Sequence, residues 1–223
     1  MGFSAFDVIG PSMIGPSSSH TAGAVRLGLV ARALCGGAPT PAKIELHGSF
    51  AATGAGHATD RGIVAGLLGF ATDDERLKDS FALAEAAGIK VGFSTVDLGE
   101  DAHPNTARIT LGDPEHPCVR ITGASVGGGS IRVLEVDGFA TDFTGELDLI
   151  AVWHADRPGF LSRVTTLLSC VEANIATIHT ARRARGTDAF TRIEVDGPPP
   201  PEVLAVMRRI PGVTKVVLLE RLF

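Results

Sequence analysis

The run Gly15–Thr21 combines residue types that could bind an anion. It places three hydroxyls, an imidazole and a fourth hydroxyl in succession: Ser17, Ser18, Ser19, His20 and Thr21. Apolar residues with helical spacing follow from Val25 to Leu34, so the run lies at the N-terminal end of a predicted helix. Free N–H groups and the helix dipole favour a carboxylate or phosphate there. In the alternative interpretation one serine is an ordinary N-cap and its neighbours are solvated.

A second cluster of polar residues follows the strand predicted over Lys43–Leu46. The segment from Gly48 to Asp60 is rich in Gly, Ala and Thr, and we predict a loop that ends in His57, Ala58, Thr59 and Asp60. Its glycines permit close approach of the backbone to a ligand, and an imidazole can exchange a proton near neutral pH. Alternatively, Thr59 or Asp60 merely caps the next helix and His57 is a surface residue.

Two further loops carry polar groups. Pro104 restricts His103 to an extended conformation, and Asn105, which precedes Thr106, offers both a donor and an acceptor. By itself this segment predicts a turn. The amides of Gly127, Gly128 and Gly129 could approach an anion, although such a run between strands is more often a bulge or a flexible turn.

The elements that position these residues alternate between helix and strand up to about residue 145. Helical patterns cover the segment after Thr21, Arg61–Leu68 and Asp74–Ala87, with Gly36 and Gly88 as stop signals. Strand patterns cover Lys43–Leu46, Lys90–Phe93, Thr106–Leu111, Val119–Thr122 and Ile131–Val136. This part is predicted to be α/β or α+β, with the strand order left open.

A fresh pattern begins at Leu149, after a stretch rich in Gly, Asp and Thr. We therefore predict two domains, residues 1–145 and 146–223. The second has strands, helices and a hairpin in the order Leu149–Trp153, Phe160–Ala173, Ile178–Ala184 with Ala189–Val195, Glu202–Arg209 and Val213–Leu219. This βαββαβ order predicts a ferredoxin-like fold, with an antiparallel four-stranded sheet and both helices on one face. Core positions are expected at Leu161, Val164, Leu168 and Val171.

Composition narrows the function classes. The 223 residues are 44% hydrophobic and 20% charged, with a formal net charge of -5. These values exclude an acidic disordered chain and give no basic surface for nucleic acid. Cys35, Cys118 and Cys170 are too far apart to suggest a zinc motif, a disulfide framework or an iron–sulfur cluster held by this chain alone. Without a signal peptide or a membrane-spanning run, a cytoplasmic protein is expected.

Together and in this order, the motifs resemble the beta subunit of bacterial iron–sulfur-dependent L-serine dehydratase (L-serine ammonia-lyase). The motifs that carry the resemblance are Phe6–Pro11, Met13–Thr21, Gly48–Phe50, Gly56–Asp60, His103–Thr106 and Val126–Gly129. The resemblance runs essentially end to end, and residues 146–223 resemble the ACT regulatory domain. Ala58 and the run Ala124, Ser125 and Val126 depart from the expected glycine and Ile-Ser-Ile, and neither departure removes a polar group needed for chemistry.

The resemblance implies that L-serine is converted to pyruvate and ammonia. It implies a [4Fe-4S] cluster whose cysteine ligands belong to an alpha partner and not to this chain, and it leaves a potassium requirement open. A homodimer or heterotetramer is expected, without nucleic acid or membrane. It further implies that the substrate carboxylate is bound by Ser17, Ser18, Ser19, His20 and Thr21, with Asn105, Thr106, Gly127, Gly128 and Gly129 completing the pocket. His57 transfers the proton, Asp60 and Thr59 orient it, and His103 is the rival base.

In the C-terminal domain the resemblance implies an amino-acid effector site. Its expected residues are His154, Asp156, Arg157, Gly159 and Asn174, the last closing the predicted helix. Asp156, Pro158 and Gly159 could equally shape the helix entry of a domain kept for association alone.

A different class of protein remains open. The first domain is similar to the allosteric substrate-binding domain of some phosphoglycerate dehydrogenases, so the chain could be a non-catalytic amino-acid sensor. The histidine motifs favour the enzyme, because a sensor has no use for a base. A purely structural dimer would leave the polar loops unexplained.

Overall fold

The computed structural model describes residues 12–37, 40–54, 56–113 and 115–222. The chain forms two compact units: one runs to Gly138 and includes Asp142–Thr144, and the other comprises Phe139–Thr141 and the chain from Gly145 onward. The motif Phe6–Pro11 lies outside the described residues.

Helices in the first unit lie before and between its first two strands. A π-helical turn, Ser18–Ala22, continues into α1 (Gly23–Cys35), which ends at left-handed Gly36 (φ 83°) as predicted. There follow β1 (Ala42–Leu46), α2 (Gly48–Thr53), α3 (Thr59–Leu68), a 3-10 turn (Glu75–Asp79), α4 (Ser80–Ala86) and β2 (Val91–Thr95). The remaining strands of the sheet are β3 (Thr106–Gly112), β4 (Pro117–Gly127), β5 (Ser130–Val136) and β6 (Phe139–Phe143), of which residues 139–141 are counted with the second unit.

Three details differ from the sequence prediction. The predicted loop after β1 begins with the short helix α2. The single helix predicted over Asp74–Ala87 is two elements, because the Asp74 carboxylate caps a 3-10 turn by accepting the backbone N–H of Arg76. Strand β6 was not predicted: Asp137 and Gly138 both have positive φ (51° and 79°), as a two-residue hairpin turn requires.

The six-stranded sheet has the order β2-β1-β3-β4-β5-β6. Strands β1 and β2 are parallel, whereas β1–β3, β3–β4 and β4–β5 are antiparallel. The register aligns Ile44, Ile109 and Ile121, which are fully buried, on one face. Helix α1 packs on that face, since a Cβ at Gly123 of β4 would lie 2.6 Å from Leu27 Cδ2. The alternate residues form a polar face.

Glycines bring α1 and α3 into close contact. A Cβ at Gly66 would lie 2.1 Å from the Val25 carbonyl oxygen, and one at Gly28 would lie 2.4 Å from that of Ile63. Only glycine allows the two backbones to approach so closely. This packing sets the N-terminal end of α1 beside the segment that precedes α3.

The second unit has the predicted βαββαβ order. Its elements are β7 (Asp148–Ala155), α5 (Phe160–Ser169), β8 (Ile175–Arg182), β9 (Asp188–Val195), α6 (Pro201–Met207) and β10 (Val213–Leu219). The antiparallel sheet has the order β10-β7-β9-β8. None of the helices in the described residues is long and apolar enough to cross a membrane.

The core of the second unit corrects part of the sequence prediction. Val164 and Leu168 are fully buried with Ile150 and Ile193. Leu161 and Val171 are not core residues: they are 43% and 36% exposed. The buried stripe of α5 runs through Phe160, Val164 and Leu168, which are spaced by four residues, and α5 ends at Ser169 before Val171 is reached.

Candidate active site

His20 lies at the centre of a cluster of hydroxyl groups. Its Nε2 is 3.2 Å from both Ser49 Oγ and Thr53 Oγ1, and Thr53 Oγ1 also donates to the Ser49 carbonyl at 2.9 Å. That bond uses the hydroxyl proton of Thr53, so Thr53 accepts from His20 Nε2–H. The Nδ1 atom of a neutral His20 is therefore the acceptor nitrogen. The ring also packs edge-on against Phe50, with centroids 5.3 Å apart.

The serine run starts the helix. Ser17 is its N-cap, and its Oγ accepts the backbone N–H of His20 at 3.2 Å, while Ser18 and Ser19 are half-buried in the first turn. One part of the alternative interpretation is therefore correct, because one serine is an ordinary N-cap. The same geometry places the hydroxyls where the helix dipole favours an anion.

His57 lies beside His20, and the ring centroids are 5.1 Å apart. The buried Thr21 hydroxyl donates to the His57 carbonyl at 3.0 Å, which ties the start of the first helix to the segment before α3. His57 Nδ1 is 3.2 Å from the Thr53 carbonyl oxygen. Since a carbonyl can only accept, Nδ1 carries the proton, and Nε2 of this exposed ring has the free lone pair.

Thr53, rather than Asp60 or Thr59, orients the His57 ring. Asp60 Oδ1 accepts the backbone N–H of Arg61 at 2.7 Å. Thr59 is fully buried, and its hydroxyl has no hydrogen-bond partner among the described residues.

His103 and Asn105 are held against α2. The Pro104 carbonyl accepts the N–H of Phe50 at 3.3 Å, and a Cβ at Gly48 would lie 2.7 Å from the same oxygen. His103 Nδ1 accepts the N–H of Asn105 at 3.1 Å, and the Thr106 hydroxyl donates to the His103 carbonyl at 2.6 Å. The only proton of a neutral His103 ring is therefore on Nε2.

The triple-glycine turn is joined to α1. Arg26 is 6% exposed, and its Nη1 donates to the Gly129 carbonyl at 2.6 Å, while burial lowers the pKa of Arg26. Gly23 packs against Ser125, since a Cβ at Gly23 would lie 2.1 Å from Ser125 Oγ. Ser125 N in turn donates to the Asn105 carbonyl at 3.0 Å. The serine run, the His103 loop and the glycine turn are thus connected through the first turns of α1.

Four residues of this region were missed by the sequence analysis as site residues. Ser49 and Thr53 are one helical turn apart, a relation that becomes visible only once the predicted loop is recognised as helix. Arg26 and Ser125 had no signal in their own segments, because their environment is created by contacts distant in sequence.

The predicted effector residues do not form one group within the second unit. Asp156 Oδ2 accepts from Arg182 Nη1 and from Gly186 N, both at 3.0 Å, and so fixes the β8–β9 hairpin. Asn174 Nδ2 donates to Asp196 at 2.6 Å, near the first residue of β8. Arg182 is the last residue of β8, so about 23 Å of strand separates the two positions.

The other predicted effector residues lie near Asp156. His154 is buried: its Nε2 is 2.9 Å from Thr191 Oγ1, and its ring stacks on Phe160 at 3.5 Å. Gly159 is the left-handed N-cap of α5, and Arg157 is exposed. Arg182 and Arg183 are exposed at the end of the β8–β9 hairpin, where Arg182 pairs with Asp156 and Arg183 lies over the Phe139 ring.

The unfolding free energy should decrease as the pH falls below about 6.5. Burial, assisted for His20 by the neighbouring His57, holds the pKa of His20 and of His154 below the usual value. The unfolded chain therefore takes up these protons first, and stability is lost between the unfolded and folded pKa values. Urea denaturation at about pH 7.5 and about pH 5.5 measures this decrease. The double variant His20→Asn/His154→Asn should show a weaker pH dependence, and an unchanged dependence would contradict the assignment.

Comparisons with known proteins identify the families to which the two parts of the chain are similar. Residues 149–212 match the ACT domain, so the second unit is an ACT domain. Residues 4–91 match the family described as serine dehydratase beta chain. The L-serine dehydratase beta chain of Peptoniphilus asaccharolyticus is 40% identical over 196 residues, which is 88% of each chain. The probable L-serine dehydratase beta chain of Bacillus subtilis is 43% identical over 213 residues, which is 96% of each.

This chain belongs to the L-serine dehydratase beta chain family. A third relative, L-serine dehydratase TdcG of Escherichia coli, is 34% identical over 161 residues, which is 62% of this chain and 35% of that protein.

Proposed function

We propose that this chain is the beta subunit of an L-serine dehydratase and that, with an alpha subunit, it deaminates L-serine to pyruvate and ammonia. The observation that carries the proposal is the cluster at the start of the first helix, where His20 lies 5.1 Å from His57 among the hydroxyls of Ser49 and Thr53. The beta-chain relatives support it over nearly the whole chain.

The proposal assigns a [4Fe-4S] cluster to the alpha subunit. Within the described residues, no three His, Cys, Asp or Glu side chains are arranged as metal ligands. Cys118 Sγ donates to the Cys35 carbonyl at 3.0 Å, and Cys170 lies in the other unit. The donor set of these residues therefore does not fit a cluster. When bound to its own subunit, the cluster would supply a Lewis acid for the serine hydroxyl.

The substrate carboxylate is assigned to the first turn of the helix. Ser17, Ser18 and Ser19 are half-buried there, so hydrogen bonds to an anion are less screened than on an open surface. The helix N-terminus adds a partial positive charge, and His20 can add a full charge if it is protonated on binding. Neutralising the carboxylate favours loss of the α-proton. The negative charge that develops on the α-carbon is then repelled less by the neighbouring carboxylate.

His57 is assigned as the base that removes the α-proton. Its Nδ1–H is fixed by the Thr53 carbonyl, so Nε2 of this exposed ring carries the lone pair that accepts the α-proton. His103 is the weaker candidate, since its Nδ1 lone pair is already used by the N–H of Asn105. The Nε2–H of His103 suits it to donate a hydrogen bond to the substrate instead.

Anaerobic reconstitution tests the proposal. The two subunits are mixed with iron and sulfide, the cluster is verified by its absorbance, and pyruvate formation from L-serine is measured with D-serine as the control substrate. We expect pyruvate from L-serine only, and only when both subunits are present. An intact cluster in the complex without any pyruvate formation would overturn the proposal and would favour an amino-acid sensor.

A further inference from the structure

A groove crosses the polar face of the six-stranded sheet, the face opposite to α1. Its volume is about 470 Å³, within the size range of small-molecule sites. Strands β1 to β4 contribute its floor, and three cationic side chains line it: Lys43, Lys90 and Arg120. None of these residues belongs to the site proposed for serine.

The strand register explains why the cations converge. Lys43 of β1 pairs with Gly92 of β2 and with Thr110 of β3, and Thr110 pairs with Arg120 of β4. Directly opposed residues point to the same face, so these four positions form one row across four strands. A Cβ at Gly92 would contact nothing within 4 Å, so the absence of a side chain leaves this end of the row open.

The groove has an excess of positive charge. Glu45 is the one carboxylate among the lining residues that the structure describes, and Lys43 Nζ lies 3.0 Å from its Oε1. Arg108, next to Glu45 on the same face, places Nη1 3.9 Å from Oε2, so the charge of Glu45 is shared by two cations. Arg120 Nε instead faces the Thr110 hydroxyl at 3.4 Å. This excess occurs in a chain whose formal net charge is -5.

We infer that this groove binds a small molecule with two or more anionic groups, either phosphates or carboxylates. Lys43 and Arg120 lie on strands separated by β3, about 10 Å apart at their backbones, so a ligand with a single charge would meet only one of them. The aliphatic parts of the lysine and arginine side chains give the walls an apolar character that suits a metabolite with a short carbon frame. The site is independent of the proposed reaction, because it lies on the other face of the sheet.

Calorimetric titration of the full chain tests the inference, with sodium pyrophosphate in one arm and sodium citrate in the other. All titrations are made at equal ionic strength with sodium chloride, so that general screening is constant. We expect saturable binding in at least one arm. The double variant Lys43→Gln/Arg120→Gln should weaken it about tenfold or more, because two charge-assisted contacts are lost.

The matched control is Lys78→Gln/Arg163→Gln, which removes the same charges from exposed positions outside the groove. This control should change the affinity for the anion by less than about twofold, since it alters only the long-range electrostatic field of the chain. The single variant Lys90→Gln gives a milder second test if the double variant unfolds. Binding of pyrophosphate alone would identify a phosphate-binding site, and binding of citrate alone a polycarboxylate site. No binding in either arm, or equal losses in the groove and control variants, would overturn the inference.

Discussion

Replacing His57 with alanine in the reconstituted enzyme should lower kcat by about 10²–10⁴-fold. The reason is the loss of the Nε2 lone pair that the Thr53 carbonyl makes available by holding the ring proton on Nδ1. The ring is exposed, so the thermal unfolding midpoint should stay close to that of the unmodified chain. The measurement is kcat at saturating L-serine, together with thermal unfolding of the variant. His179→Ala removes another exposed imidazole in the second unit and should leave kcat unchanged.

His103→Ala separates the two candidate bases. Since His103 Nδ1 is occupied by the Asn105 N–H, we expect this variant mainly to raise KM, with a smaller loss in kcat than His57→Ala gives. Near-normal turnover in His57→Ala together with a large loss of kcat in His103→Ala would transfer the role of base to His103.

The sequence predicted the serine run at a helix N-terminus because that relation is local. A run of hydroxyls followed directly by apolar residues with helical spacing needs no tertiary contact to be recognised, and α1 begins and ends as expected. The same holds for the βαββαβ order of the second unit, where the strands and α5 are long enough to show their own period.

The partners of His20 could not be predicted in the same way. The helix that carries Ser49 and Thr53 has six residues, too few for a hydrophobic period to appear, and its Gly and Ala content favoured a loop. The orientation of His57 also depends on this helix, since Thr53 supplies the carbonyl that holds Nδ1. Asp60 and Thr59 were expected in this role because they lie next to His57 along the chain, whereas Thr53 reaches the ring only through α2.

The positions of Leu161 and Val171 show a related limit. The five apolar residues of α5 are compatible with more than one helical face, and the sequence does not fix which face meets the sheet. The buried face is the one that also contains Phe160, which packs on His154. Helix α5 ends at Ser169, so its periodicity could not be extended to Val171.

The contact between α1 and α3 should be the most sensitive point of the first unit. The variant Gly66→Ala would place a Cβ 2.1 Å from Val25 O, 2.8 Å from Leu29 N and 2.9 Å from Gly28 Cα. All three are backbone atoms, so no side-chain rotation relieves the clash and the helices must separate. Overpacking costs about 1–3 kcal/mol, more in rigid sites, whereas the better helix propensity of alanine returns about 1 kcal/mol. Because the clash is with backbone atoms, its cost lies at the upper end of this range or above it, and we expect a net loss of about 2 kcal/mol in the unfolding free energy of this unit.

Hydrogen exchange measured by mass spectrometry can localise this loss. Peptides from α1 and α3 of Gly66→Ala should exchange faster, while Trp153, the one tryptophan of the chain, reports on the second unit and should show an unchanged fluorescence transition. Gly197→Ala is the matched control, since its Cβ would meet nothing within 4 Å, and it should change stability by less than about 0.5 kcal/mol.

Because the contact between α1 and α3 holds His20 next to His57, turnover should fall in Gly66→Ala even at temperatures where the variant is folded. Equal exchange and equal turnover in the two glycine variants would show that the close approach of α1 and α3 does not position the site.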